Sequence, residues 1–322
     1  MSTIKHDLPE IVAAIDLGSN SFHMIVARLE ESGTLSVIDR LRESVRLGGG
    51  LDEKGKISEP AQKRAFECLE TFSQRIRELP HSAVRVAGTN TLRVAKNSRS
   101  FVARAEDILN HSIEIIEGRE EARLIYLGVA HGLATKEGKR LVVDIGGGST
   151  EFIIGQGMTP LRRESLYTGC VSSSRRFFNN GNITKQGMNA AELEAALTLF
   201  PQAPDFKAGR WEEAIGCSGT IKSIGNIVHQ QGWCLEGISY KALLKLRDVV
   251  IEAGHVDKLK LSGLSDSRRP VIAGGLSVLL AIFNTLNIEH MLVSDQSMRE
   301  GLLYDLVGRI THHDVRDATV EA

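Results

Sequence analysis

The 322-residue chain predicts an α/β protein of two related halves, each a mixed sheet with flanking helices. Three observations carry that expectation. Two stretches read as strand, tight turn, strand: IVAAIDLGSNSFHMIVA from Ile11 to Ala27, and LVVDIGGGSTEFIIG from Leu141 to Gly155. Aligning Asp16 with Asp144 also aligns Gly18 with Gly146, Ser21 with Ser149 and Ile25 with Ile153, as a duplication with one hairpin per half would. Elsewhere, short apolar strands alternate with helical patterns. The halves are expected to face each other across a cleft, with one Asp from each directed at the same ligand.

Composition narrows the class. Hydrophobic residues make up 42% of the chain and aromatic residues only 5%, which fits a soluble α/β enzyme. The net charge of −1 provides no general attraction to nucleic acid or acidic membranes, so no DNA or RNA partner is expected. Cys68, Cys170, Cys217 and Cys234 are scattered without CxxC spacing, which points to a reducing compartment. The early apolar run Ile11–Ile15 is too short for a signal peptide, and Val271–Phe283 is glycine-interrupted and short for a membrane span. A cytoplasmic protein without a transmembrane segment is expected.

The two hairpin turns carry the chemistry. Gly146, Gly147 and Gly148 let backbone N–H groups turn toward one anion, and Ser149 and Thr150 add hydroxyls. Asp144 and Glu151 would repel a bare phosphate. They make sense if a divalent cation or an attacking water lies between them and it. Gly18, Ser19, Asn20 and Ser21 form the corresponding cradle beside Asp16.

The remaining elements follow in order. Val37–Leu51 is strand then loop, with Arg46 before three glycines as either a phosphate contact or a solvated side chain. Pro60–Leu79 is an amphipathic helix through Ala61, Ala65, Leu69, Phe72 and Ile76, and Pro80 stops it. Val84–Ala87 is a strand running into GTNTLRVAKN, a strand-to-helix turn of the kind that binds anions. Arg93 is its candidate phosphate ligand; Lys96 and Arg99 suit a solvated face.

Ile113–Ile116 is a strand, and EGREEARLIYLGV opens a helix with Glu117, Glu120 and Glu121 near its start, where acids complement the dipole. Leu161–Thr168 is a strand bearing Arg162 and Arg163, and Arg175-Arg176 lie on a short helix. Met188–Phe200 is a surface helix. A strand ends in Gly216-Cys217-Ser218-Gly219-Thr220 before another helix, and Tyr240–Gly254 is helical. Arg268 and Arg269 precede an expected strand and a Gly274-Gly275 turn, Met291–Asp295 is a last strand, and SMREGLLYDL starts the closing helix. The domain boundary is expected near Tyr126, giving domains 1–126 and 127–311 and a polar tail 312–322.

DLGSNSFHMIVA and DIGGGSTEFIIG resemble the two phosphate loops of the actin-like (ribonuclease H-like) ATPase superfamily. More narrowly, the chain resembles the exopolyphosphatase/guanosine pentaphosphate phosphatase (Ppx/GppA) family from about Ile11 to Gly308. The resemblance implies two actin-like domains, with EEARLIYLGV supplying Glu121 as general base and Glu151 positioning water or metal. It implies Mg²⁺ near Asp16 and Asp144, with K⁺ as a further ion, and phosphates held by Gly18–Ser21, Gly146–Ser149 and Arg93. The implied activity is release of terminal phosphate from inorganic polyphosphate, with hydrolysis of pppGpp as the alternative, pppGpp or ppGpp as partner and a link to the stringent response. An ATP-dependent kinase is disfavoured because no second acidic base stands where sugar kinases use one. A non-catalytic binding module is disfavoured because it has no need of Glu121, Asp144 and Glu151. Longer relatives continue past a segment like Asp314-Val315-Arg316 into further domains, so a two-domain member or a truncation is expected, and a homodimer is left open.

Overall fold

A computed structural model describes residues 9–30, 33–133 and 137–311, so the expected tail at 312–322 lies outside the described residues. The chain divides into two compact units, one running to Glu117 and resuming at Met298, the other Gly118–Ser297.

The first unit opens with β1 (Ile11–Leu17), β2 (Phe22–Leu29) and β3 (Leu35–Glu43). Then come α1 (Glu59–Ile76), β4 (Val84–Gly88), α2 (Asn90–Val94), α3 (Ser98–Leu109) and β5 (Ile113–Ile115). The strand order is β3-β2-β1-β4-β5; β1 pairs antiparallel with β2 and parallel with β4, so the sheet is mixed. Both helical patterns bury their apolar stripes, and Phe66 of α1 stacks on Phe101 of α3 with ring centroids 5.0 Å apart.

The second unit begins with α4 (Gly118–His131), then β6 (Lys139–Ile145), β7 (Thr150–Gln156) and β8 (Thr159–Leu166). It continues with α5 (Cys170–Phe177), α6 (Lys185–Leu199), α7 (Ala203–Phe206), β9 (Glu213–Cys217) and α8 (Ser218–Gln230). β10 (Ile238–Ser239), α9 (Tyr240–Ala253), α10 (Ile272–Leu286) and β11 (His290–Val293) complete it. Its order, β10-β11-β9-β6-β7-β8, repeats the first: β6 pairs antiparallel with β7 and parallel with β9, as β1 does with β2 and β4. The closing helix α11 (Met298–Ile310) returns to the first unit and packs on β1, β2 and β4. Buried Arg85 of β4 secures it, donating to Asp305 at 2.5 Å while also reaching Glu114 at 3.0 Å.

Two expectations change. Met298–Ile310, expected within the second domain 127–311, belongs to the first unit, and the boundary falls at Glu117/Gly118 rather than near Tyr126, so Glu121 belongs to the second. The cause is Tyr126: its ring lies over Gly155, its hydroxyl donates to the Gly157 carbonyl at 2.9 Å, and α4 therefore packs whole on β7 and β8. The strand and glycine turn expected after Arg269 are instead one 15-residue helix, α10. An apolar run has no telling period when it is buried on all sides, as α10 is against α5, α6, α8 and α9; its length decides for helix. Arg269–Leu286 is apolar and long enough to cross a membrane by length and composition alone, yet 72% of its residues are buried within the protein.

The two glycines sit where α10 meets its neighbours. A Cβ on Gly274 would lie 2.6 Å from the Cys170 carbonyl oxygen, and one on Gly275 2.4 Å from Thr220 Cγ2. Gly274→Ala should therefore destabilise the chain despite gaining about 1 kcal/mol of helix propensity. Overpacking against backbone of α5 costs roughly 1–3 kcal/mol. Chemical denaturation should show a lower midpoint for the variant; an unchanged or higher one would contradict this packing.

Candidate active site

The site is built on strand register. Asp144 of β6 pairs directly with Glu151 of β7 and with Cys217 of β9, and Glu151 pairs with Ser165 of β8. Directly paired residues project from the same face of a sheet, so Ser165, Glu151, Asp144 and Cys217 form one polar row across four strands. Ser165 Oγ donates to Glu151 Oε1 at 2.8 Å, and Cys217 Sγ to Asp144 Oδ2 at 3.2 Å. Two further elements reach the row. Glu121, in the first turn of α4 and buried, interacts electrostatically with Glu151. Ser297, just before α11, donates to Asp144 Oδ2 at 2.7 Å.

The connecting turn, Gly146–Ser149, closes with Gly146 N–H donating to the Ser149 carbonyl at 2.9 Å. A Cβ on Gly146 would lie 3.0 Å from that oxygen. Gly146 and Gly147 carbonyls accept the first amides of α5, while the Gly147 and Gly148 amides make no backbone hydrogen bond among the described residues. Those two N–H groups are the donors an anion could use. The side chains behave differently from the simple expectation. Thr150 hydroxyl is buried and donates to the Thr168 carbonyl at 2.7 Å, and the Ser149 hydroxyl is engaged by Glu151.

Burial and like charge set the electrostatics. Glu151 is held well above the usual carboxylate range, chiefly by desolvation and then by Glu121 and Asp144; Ser165 and Ser149 oppose the shift. Desolvation also raises Asp144, against Ser297, Cys217, Lys222 and Arg268. The Cys217 thiol is pushed well up by burial and by Asp144, so it stays protonated and acts as a donor. Arg268, which precedes α10, is buried with its guanidinium against Gly219, and desolvation lowers it. A Cβ at Gly219 would collide with it.

The first unit repeats the frame with other chemistry. Asp16 pairs with His23 and with Ala87, and His23 pairs with Arg42, so the equivalent row is Arg42, His23, Asp16, Ala87. Its turn also needs glycine, since a Cβ on Gly18 would sit 2.8 Å from the Ser21 carbonyl. Ser19 and Thr91 hydroxyls bond at 2.7 Å, and the Ser19 and Asn20 carbonyls accept the Gly48 and Arg46 amides. Asn20 Nδ2 donates to Ser21 Oγ at 3.3 Å. Arg93, on α2, donates to the Ile116 carbonyl at 2.7 Å.

The structure thus brings Glu121, Asp144, Glu151 and Gly146–Ser149 together in the second unit and sets Asp16 beside Gly18–Ser21 in the first, while Arg93 is tied to the Ile116 carbonyl. Sequence reasoning missed Ser165, Cys217 and Ser297 as partners of the acids. Register would have found Ser165 and Cys217, because each lies directly across from an acid; nothing local marks Ser297.

A model of the Ppx/GppA phosphatase family matches residues 25–310. The chain belongs to that family. Among its relatives, the guanosine-5'-triphosphate,3'-diphosphate pyrophosphatase of Aeromonas hydrophila is 41% identical over 98% of the chain, which spans 63% of that protein's length. Among solved structures, an exopolyphosphatase from Cytophaga hutchinsonii is 25% identical with TM-score 0.82, covering 93% of this chain and 98% of that one. The Ppx/GppA enzyme of Aquifex aeolicus is 27% identical with TM-score 0.74, over 92% and 99%. The mixed sheets and flanking helices are thus those of the Ppx/GppA fold.

Two measurements check this electrostatic picture. Because Glu151 is raised on folding, its contribution to stability is complete below the ordinary carboxylate range and is lost as pH rises through the raised value. Glu151→Gln mimics the protonated acid, so in chelator-containing buffer its melting temperature should match the parent near pH 4 and exceed it at pH 8. Each kcal/mol of relief is worth roughly 1–2 °C in a chain of 322 residues; equal melting at both pH values would contradict the shift. Of the four cysteines, buried Cys68 is pushed up to about 12, and Cys170 and Cys217 are raised. A thiol-reactive dye at pH 8 should therefore label half-exposed Cys234 first, and the others only on unfolding.

Proposed function

We propose that the chain hydrolyses a terminal phosphoanhydride bond, releasing phosphate from guanosine 5'-triphosphate 3'-diphosphate. The observation that carries the hydrolytic reading is the buried, mutually repelling pair Glu121 and Glu151 beside Asp144, under a turn with open amides. Burial, then Glu121 and Asp144, raise the proton affinity of Glu151, and a cluster of acids that favours a proton suits a site that must take one from water. The substrate is favoured by the relatives named for it, which match nearly the whole chain. That reverses the order expected from the sequence, where polyphosphate came first. Polyphosphate is the second reading, favoured by the likeness to the Cytophaga exopolyphosphatase.

Glu121 accepts the proton of the attacking water, and Glu151, held by Ser165 and Ser149, orients that water from the other side. Gly147 and Gly148 amides bind the transferring phosphoryl group. The Gly18–Ser21 turn, whose row carries His23 and Arg42 where the second unit has Glu151 and Ser165, binds phosphate.

A divalent cation such as Mg²⁺ fits the second unit's donors, since the hard carboxylate oxygens of Asp144 and Glu151 are ionised there only against desolvation, a cost that a bound cation would relieve. Among the described residues no three His, Cys, Asp or Glu side chains form a metal-holding group, so Asp144 would hold it with water and substrate phosphate completing the shell. When bound, it would neutralise charge on the phosphates and polarise the transferring group. Asp16, at the equivalent rung of the first unit, is proposed as a cation ligand in its own right.

Phosphate release should be measured with Mg²⁺ on guanosine 5'-triphosphate 3'-diphosphate and long-chain polyphosphate in parallel. Glu121→Gln should lower kcat by about 10²–10⁴-fold with intact folding. A variant as active as the parent would remove Glu121 from its role, and parent turnover of polyphosphate alone would favour the second reading.

A further inference from the structure

Asp144 is held in place from outside its own hairpin. Its Oδ2 accepts from Ser297 Oγ at 2.7 Å and from Cys217 Sγ at 3.2 Å. Cys217 belongs to the adjacent strand, but Ser297 arrives from the loop that follows β11, a separation of 153 residues.

That loop is fixed without the Asp144 contact. Ser294 N–H donates to the Gly216 carbonyl at 2.8 Å, extending the β11–β9 pairing. Ser294 Oγ bonds the Gln296 carbonyl at 3.0 Å and accepts the Gln296 amide at 3.1 Å, closing a small hydroxyl turn. Lys222 of α8 donates to the Asp295 carbonyl. Gln296 packs on Gly132, where a Cβ would come within 2.6 Å of it. The anchored loop delivers the Ser297 hydroxyl to a carboxylate, so the bond serves the acid more than the loop.

We propose that Ser297 is a positioning residue for Asp144, fixing its carboxylate through Oδ2 with Cys217 as the second donor. A carboxylate held on one oxygen keeps a single rotamer, and an anchored ligand binds a cation with less loss of freedom than a swinging one. The hydroxyl is the stronger of the two donors because a thiol hydrogen-bonds weakly. The assignment rests on the proposed role of Asp144 in the hydrolytic site.

The test compares Ser297→Ala with Ser297→Thr, which keeps the hydroxyl, in the full chain. Removing an outer partner of a metal-binding carboxylate should cost about 10–100-fold in kcat or in cation affinity. Ser297→Ala should show that loss in phosphate release and in Mn²⁺ affinity of the substrate-free protein, read by calorimetry or paramagnetic resonance. KM for the nucleotide and the melting temperature should change little. Ser297→Thr should recover most of both. Ser297→Ala within twofold of the parent on both readouts overturns the proposal, as does Ser297→Thr failing equally. Should the parent hydrolyse neither substrate, the functional reading falls while the Mn²⁺ ratio still decides the positioning role; a parent that neither turns over nor binds Mn²⁺ overturns both.

Discussion

The second unit depends on burying Asp144 and Glu151 side by side. They are direct partners across the β6–β7 ladder, joined by a four-residue turn in which a Cβ at position 146 would crowd the Ser149 carbonyl at 3.0 Å. A slip of one residue in either strand would send its side chains to the opposite face, so register here is inseparable from chemistry. Desolvated like charges favour the protonated form, and the fold offsets part of that cost with short donors: Ser165 and Ser149 on Glu151, Ser297 and Cys217 on Asp144. The result is a set of acids whose proton affinity is raised by their surroundings and whose orientation is set by neutral hydroxyls.

The two units share a frame and differ in what it carries. Both keep the same strand order around the hairpin, the same turn length and an Asp at the same rung. What differs is what lies across from that Asp. In the second unit it faces Glu151 and Cys217; in the first it faces His23 and Ala87, with Arg42 beyond. A shared backbone frame thus sets its Asp beside a second acid in one unit and beside a histidine and an arginine in the other, through the side chains at paired rungs.

Much of this was legible from residue order. The hairpins at Ile11–Ala27 and Leu141–Gly155, the amphipathic helices and the family itself follow from local patterns, because period and turn chemistry act over a few residues. The place of Glu121 in the first turn of a helix also follows from local pattern. The helix at Ile272–Leu286 does not: an apolar segment packed on every side loses the period by which helix and strand are told apart.

The sequence by itself determined where the turns, the acids and the repeated frame lie. Tertiary structure decided the company they keep. Tyr126 over Gly155 carried Glu121 into the second unit, and an anchored loop brought Ser297 to Asp144 across 153 residues. The physical reason is range. Propensity and hydrophobic period are properties of neighbours along the chain, whereas a buried carboxylate takes its proton affinity and rotamer from whatever the packed chain places within 3 Å of it.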